Sequence, residues 1–144
     1  MIEKKNFYIN GKWVSPSKPN NFEVIDPSTE EPFAIISLGS EQDADDAINA
    51  AKIAFESWRE TSKEERLSLL EKFDEIYNRR WDEMVNAQST EMGAPLDYSS
   101  EIHTKMGADI SKNTLKILKD FNFEHQFDIK SNNHIRYEPI GVCG

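Results

Sequence analysis

The chain opens on short alternating stretches. Phe7-Tyr8-Ile9 and Lys12-Trp13-Val14 flank Asn10-Gly11, a dipeptide that tolerates the positive φ values of a two-residue type I′ turn, so the pattern predicts a hairpin. Ser15 to Asn21 holds two prolines among polar residues and reads as a surface loop. Phe22-Glu23-Val24-Ile25 alternates into a strand that Asp26-Pro27-Ser28-Thr29 stops, because Pro27 has no amide hydrogen and biases Asp26 away from helix. Phe33-Ala34-Ile35-Ile36 resumes the extended pattern, giving a β meander too small to stand without something to pack on.

From Ser40 the period changes. Ala44, Ala47, Ile48, Ala51, Ala54, Phe55 and Trp58 recur at spacings of three and four, the mark of one helical stripe. Ser40 is the expected N-cap, and Glu41, Asp43, Asp45 and Asp46 place negative charge at the positive end of the helix dipole. A second helix is expected from Ser62, where Ser62 and Glu65 make a capping box, through Leu69, Leu70, Phe73, Ile76, Tyr77, Trp81, Met84 and Val85 to Gly93 and Pro95. A third runs from about Leu96 to Phe121, with Ile102, Met106, Ile110, Ile117, Leu118 and Phe121 on one side. Phe127 to Lys130 and His134 to Glu138, joined by Ser131-Asn132-Asn133, read as a second hairpin with little apolar content of its own. Ile140-Gly141-Val142-Cys143-Gly144 has the apolar run of a buried strand, so the chain is expected to stop where a core strand begins.

Composition narrows the class. A chain of 144 residues with 38% hydrophobic content can bury about 68% of its unfolded surface, which suits one globular domain or a piece of one. With 17 Lys plus Arg against 26 Asp plus Glu, the net charge of −9 argues against nucleic-acid or anionic-lipid binding. No stretch approaches the length of a membrane span, and Met1 to Asn6 lacks a signal-peptide core, so a cytoplasmic location is expected. The single Cys143 fits a reducing compartment.

Read residue by residue, no catalytic set emerges. His103, His125 and His134 share no metal-ligand spacing. Cys143 sits in an apolar run that raises a thiol's pKa, and no base or helix N-terminus adjoins it. The acids around Asp43 lack the turn glycine and ligand spacing of a calcium loop, and those of the second helix read as a solvated face. Gly141 and Gly144 are not followed by a helix whose amides would meet a phosphate.

Taken in order, the segments resemble one family. Phe7 to Val14, Phe22 to Thr29, Ala50 to Trp58, Glu65-Arg66, Glu91-Met92-Gly93-Ala94-Pro95 and Arg136 to Val142 resemble the N-terminal region of the NAD(P)-dependent aldehyde dehydrogenases. The resemblance implies an α/β fold of which this chain supplies the N-terminal part: hairpin and meander, three amphipathic helices and a C-terminal β-hairpin arm. It implies that residues 1–121 belong to the cofactor-binding domain, 122–139 to an oligomerisation arm and 140–144 to the first strand of the remainder. In the family a thiolate attacks an aldehyde, hydride passes to NAD or NADP, and a thioester is hydrolysed to the acid. The nucleophile, the water-activating Glu and the nucleotide-binding glycines all lie in segments beyond Gly144, so the chain alone is expected to be inactive and no catalytic or cofactor-binding residue is assigned. The partners implied are an aldehyde in the complete enzyme and further copies of the chain.

Two sets of residues carry over. Backbone carbonyls of Val24 and Ile25 with the carboxylate of Glu91 match a structural sodium or potassium site, a role that competes with plain end-capping by Glu91. Ile102 and Met106 match positions bordering the aldehyde tunnel, a role that competes with core packing. The family's frequent Gly in the early turn is replaced within Thr29-Glu30-Glu31, and its frequent Lys after the helix-ending Gly is Ala94 here. The reading set against the family is a free-standing helical module that binds a partner protein through its exposed stripes.

Overall fold

In the computed structural model, residues 1–129 and 132–144 are described. Asn10 and Gly11 both take positive φ, 52° and 72°, and this turn pairs β2 (Phe7–Ile9) with β3 (Lys12–Val14) in the register the sequence predicts. β4 (Asn21–Asp26) runs antiparallel to β5 (Glu31–Ser37). A strand the alternation did not announce, β1 (Ile2–Lys4), lies parallel to β5 on its other edge, giving the order β1-β5-β4. Three residues exposed on both faces carry no periodic signal; β1 exists because β5 offers it an edge.

α1 (Glu41–Trp58) begins at Ser40, but its capping partner is Asp43. The Ser40 amide and hydroxyl both donate to Asp43 Oδ2, at 2.8 and 2.7 Å. α2 (Lys63–Arg79) starts at the expected Ser62–Glu65 box. The expected single helix to Met92 is interrupted: Arg80 adopts φ −98° and ψ 22°, closing α2 and opening α3 (Trp81–Met92). An apolar stripe is continuous across such a break because one residue off the helix path changes direction without changing which side chains are apolar. α3 ends at Gly93 in the left-handed conformation, φ 69°, as predicted.

The third predicted helix is three pieces end to end. A single turn, α4 (Leu96–Tyr98), leads into a π-helical turn at Ser99–Thr104, and this continues into α5 (Lys105–Asp120). Periodicity cannot show the π-turn, since one wider turn shifts the apolar stripe without breaking it. The C-terminal hairpin pairs β6 (Glu124–Gln126) with β7 (His134–Arg136), so the first arm lies before Phe127 and not after it. Lys130 and Ser131 lie outside the described residues. Ile140 to Gly144 forms no strand, and Ile140 is 93% exposed. The buried strand expected there pairs with no strand among the described residues.

Burial is sparse. Ala34, Val85 and Ala108 are the buried apolar residues among those described. The accessible surface is 11,115 Å2, whereas a self-contained monomer of this mass exposes about 7,600 Å2. An excess of about 3,500 Å2 on one chain is several times the roughly 800 Å2 that each partner gives to a standard interface.

Candidate functional site

Gly107 brings α5 onto α2. A Cβ at Gly107 would overlap the Tyr77 hydroxyl and stand 3.0 Å from its Cζ, so the absence of a side chain is what admits the ring. Tyr77 then donates to the Thr104 carbonyl at 3.1 Å, at the end of the π-turn. Thr104 is fully buried, and its hydroxyl donates to Gln88 Oε1 of α3 at 3.1 Å. Trp81 Nε1 donates to Ser100 Oγ at 3.0 Å. Ser99 is fully buried with its hydroxyl unpartnered among the described residues. The wide turn is thus held from beneath by three side chains of α2 and α3. A buried polar seam of this kind specifies one geometry, because each lost bond leaves a desolvated group.

Ile102 and Met106 rise from that seam on its outer side. They are 47% and 56% exposed. About half of each side chain is left uncovered by this chain's described residues. Ile110 and Ile117 continue the same face at 60% and 65% exposure. The π-turn and its Gln88–Thr104–Tyr77 seam escaped the sequence reading; the legible hint was a glycine in mid-helix, which costs about 1 kcal/mol unless something approaches closely.

The second predicted site lies where α3 meets β4. A bulge separates Val24, opposite Ala34, from Ile25, opposite Pro32. Pro32 has no amide hydrogen, so β5 offers no backbone donor at that position. Gly93, two residues after Glu91, meets Pro27 so closely that a Cβ would stand 2.9 Å from its Cγ. The end of the Glu91 helix and the turn after β4 are therefore neighbours. Glu30 in that turn takes φ 60°, the left-handed region that a glycine would occupy without strain. The turn keeps its shape through the Glu30 amide donating to the Asp26 carbonyl at 2.8 Å and the Ser28 amide donating to Asp26 Oδ1 at 2.8 Å.

Asp43 has the largest electrostatic displacement. It also accepts the Ser17 amide at 2.8 Å, tying the proline-containing loop to the start of α1. Hydrogen bonds from the Ser17 and Ser40 amides, then from the Ser40 hydroxyl, lower its pKa from 3.8 to about 2. A carboxylate saturated with donors is a structural clip, not a proton-transfer group. Cys143 is exposed, its thiol directed to the Gly141 carbonyl at 3.8 Å. A groove of about 510 Å3 between the α1–α2 turn and the C-terminal hairpin is lined by Arg59, Arg66 and Arg136. Arg59 pairs with Glu60 and Arg136 with Glu138. Arg66 lies over Trp58 and Phe123 and donates to Thr61, so its guanidinium is spent on joining the segments. No group of three or more metal-ligating side chains occurs among the described residues.

A model of the aldehyde dehydrogenase family matches residues 13–144. The chain belongs to the aldehyde dehydrogenase family. It is 38% identical over its whole length to the 3-succinoylsemialdehyde-pyridine dehydrogenase of a Pseudomonas species, of which it covers 30%. A crystal structure of an aldehyde dehydrogenase from Bartonella henselae superposes with a TM-score of 0.89 at 48% identity, over 92% of this chain and 28% of that one. Aldehyde dehydrogenase C of Pseudomonas syringae, solved with NAD+ and octanal, superposes with a TM-score of 0.83 at 31% identity, over 86% of this chain and 26% of that one. This aldehyde dehydrogenase chain thus spans under a third of the length of the relatives it matches. The α/β reading of the fold holds, with the helices divided as above.

Proposed function

We propose that these 144 residues are the first part of an NAD(P)-dependent aldehyde dehydrogenase, built to be completed by the rest of the family fold. The supporting observation is the excess of about 3,500 Å2 of surface over that of a self-contained monomer, on a chain that superposes on 28% of a family structure. In this reading residues 1–121 belong to the cofactor-binding domain, 122–139 to the oligomerisation arm and 140–144 to a strand that pairs with the remainder. The residues present do not suit the nicotinamide cofactor: among the described residues no glycine-rich turn leads into a helix that would receive a phosphate. Binding of NAD or NADP and the thiolate chemistry belong to the other part of the enzyme. What this chain contributes to the reaction is a wall: Ile102 and Met106, held out by the π-turn, border the path of an aldehyde and exclude water from it.

The bulge at Val24 and Ile25 suits a sodium or potassium ion, because a hard monovalent cation takes oxygen ligands and the strand opposite offers Pro32 in place of a donor. Glu91 would supply the charge. The ion would tie β4 to the end of α3.

Complementation tests the whole reading. The pure chain, given octanal and NAD+, should form no NADH. Mixed with the portion of the Bartonella henselae enzyme that this chain does not match, it should form a complex that does. NADH from the chain alone, or no complex with the complementary portion, overturns the reading.

A further inference from the structure

The first turn of α2 receives the ends of two other helices. Lys63 Nζ donates to the carbonyls of Lys119 and Phe121, at 3.1 and 3.5 Å, where α5 stops. Arg66, one turn on, serves α1. Its Nη2 donates to the Arg59 carbonyl at 3.2 Å, and its Nε donates at 2.9 Å to the Thr61 hydroxyl, which itself donates to the Trp58 carbonyl at 2.7 Å. A helix leaves its last carbonyls without partners inside it and gathers negative charge there, so a cation at each of these two ends is favourable.

The same guanidinium faces the C-terminal hairpin. Its carbon lies 6.0 Å from the Trp58 ring centre and 5.9 Å from that of Phe123, so one planar group joins the end of α1 to the root of β6. Arginine suits this, because its N–H groups donate in the plane while its faces stack on rings.

Phe123 is the last of three residues, Phe121 to Phe123, between α5 and β6. Its carbonyl accepts the Tyr137 amide at 2.8 Å, which closes the base of the hairpin. The Phe121 ring meets those of Phe123 and Tyr137 at 4.9 and 5.3 Å between centroids. Beyond this base Glu124, His125 and Gln126 are all exposed, so the hairpin has no packed face of its own to orient it. Its direction is decided at its root.

We propose that Arg66 is the positioning residue of the C-terminal hairpin: stacked on Phe123 and tied to the end of α1, it sets the direction in which the hairpin leaves the helices. Lys63 fixes where the root begins and Arg66 where it points. Without Arg66 the hairpin swings about Phe121 to Phe123, each with two soft backbone dihedrals. A hairpin aimed in advance loses less freedom on meeting another chain, whatever that chain is.

The test is a distance measured in the full chain. Nitroxide labels are placed at Ser68→Cys, exposed on α2, and at Ile129→Cys, 97% exposed near the hairpin tip, with Cys143→Ser so that no other thiol reacts. Double electron–electron resonance of this chain, diluted into unlabelled chain, should give one narrow distribution. Arg66→Met keeps the aliphatic stem and should lower the ratio of the narrow component to a broad one by roughly 3- to 10-fold, with helical circular dichroism unchanged. Arg66→Lys should restore little of it, because an ammonium cannot bond and stack in the same way. Phe123→Leu should broaden the distribution to a similar degree, and the two changes together no further, since both remove one contact. A narrow distribution retained in Arg66→Met and in Phe123→Leu overturns the proposal. So does broadening that adds up in the double variant, full restoration by Arg66→Lys, or a broad distribution in the labelled parent. If Arg66→Met lowers the helical signal, Phe123→Leu, which lies outside every helix, decides alone: broad supports the proposal and narrow overturns it.

Discussion

α1 and α5 are both long amphipathic helices, yet they are held in different ways. α5 is seated on α2 through Gly107 and Tyr77, and its first turn is pinned by Thr104 and Gln88. α1 has its one buried residue at Asp43, in the first turn, and leaves Ile48 and Ile53 43% and 77% exposed. One helix is therefore fixed along its length by packing, the other at one end by a cap. Amphipathicity alone does not distinguish them: a stripe records that a face was selected to be covered, and whether the cover lies within the same chain is a separate matter.

The largest test of the contrast is Gly107→Ala. Inserting a methyl where Tyr77 sits should destabilise the chain by about 2–3 kcal/mol despite the better helix propensity of alanine, read as the midpoint of urea unfolding. Tyr77→Phe in the same chain should recover part of this, since it removes the closest atom. If Gly107→Ala is neutral or stabilising, α5 is not seated as described. Next, Thr104→Val should cost about 1–2 kcal/mol, as it keeps the shape but leaves Gln88 without its donor.

The cap on α1 responds to pH. Because the folded-state pKa of Asp43 is depressed, its contribution is complete above about 3.8 and is lost as pH falls toward about 2. Helical circular dichroism of the native chain should fall across that window, and Asp43→Asn should lower it at neutral pH while removing that part of the pH dependence. The same profile in the variant and the native chain would locate the acid sensitivity elsewhere. Glu30→Gly should act in the opposite direction and stabilise the chain by about 1 kcal/mol, read as a rise in the thermal midpoint, through relief of the left-handed backbone at that turn. The smallest effect belongs to α1: Ile53→Glu should leave the unfolding midpoint of the isolated chain unchanged. A clear loss there would mean that α1 is covered in solution and that the contrast is wrong.

Local chemistry made much of the fold legible. Asn10-Gly11 specifies its turn through φ alone, Ser62 and Glu65 cap each other across one helical turn, and Gly93 ends α3 for want of a Cβ. Each signal acts within a few residues, so each survives in the bare sequence. The parallel β1 and the position of the C-terminal strands were not legible, because each depends on a strand elsewhere in the chain, and the break at Arg80 was not legible because it leaves the apolar stripe unbroken. The candidate site divides likewise. Ile102 and Met106 enter as candidates only through order-preserving resemblance, whereas the π-turn beside them depends on Gln88 and Tyr77 reaching it from other helices.

The sequence by itself determined the turns, the caps and the faces that must be covered, since those follow from φ preferences, hydrogen-bonding reach and the helical period. Only the tertiary structure decided which of those faces find cover within the chain. Covering a face requires a second surface at van der Waals distance, and for most of this chain's apolar face no such surface lies among the described residues.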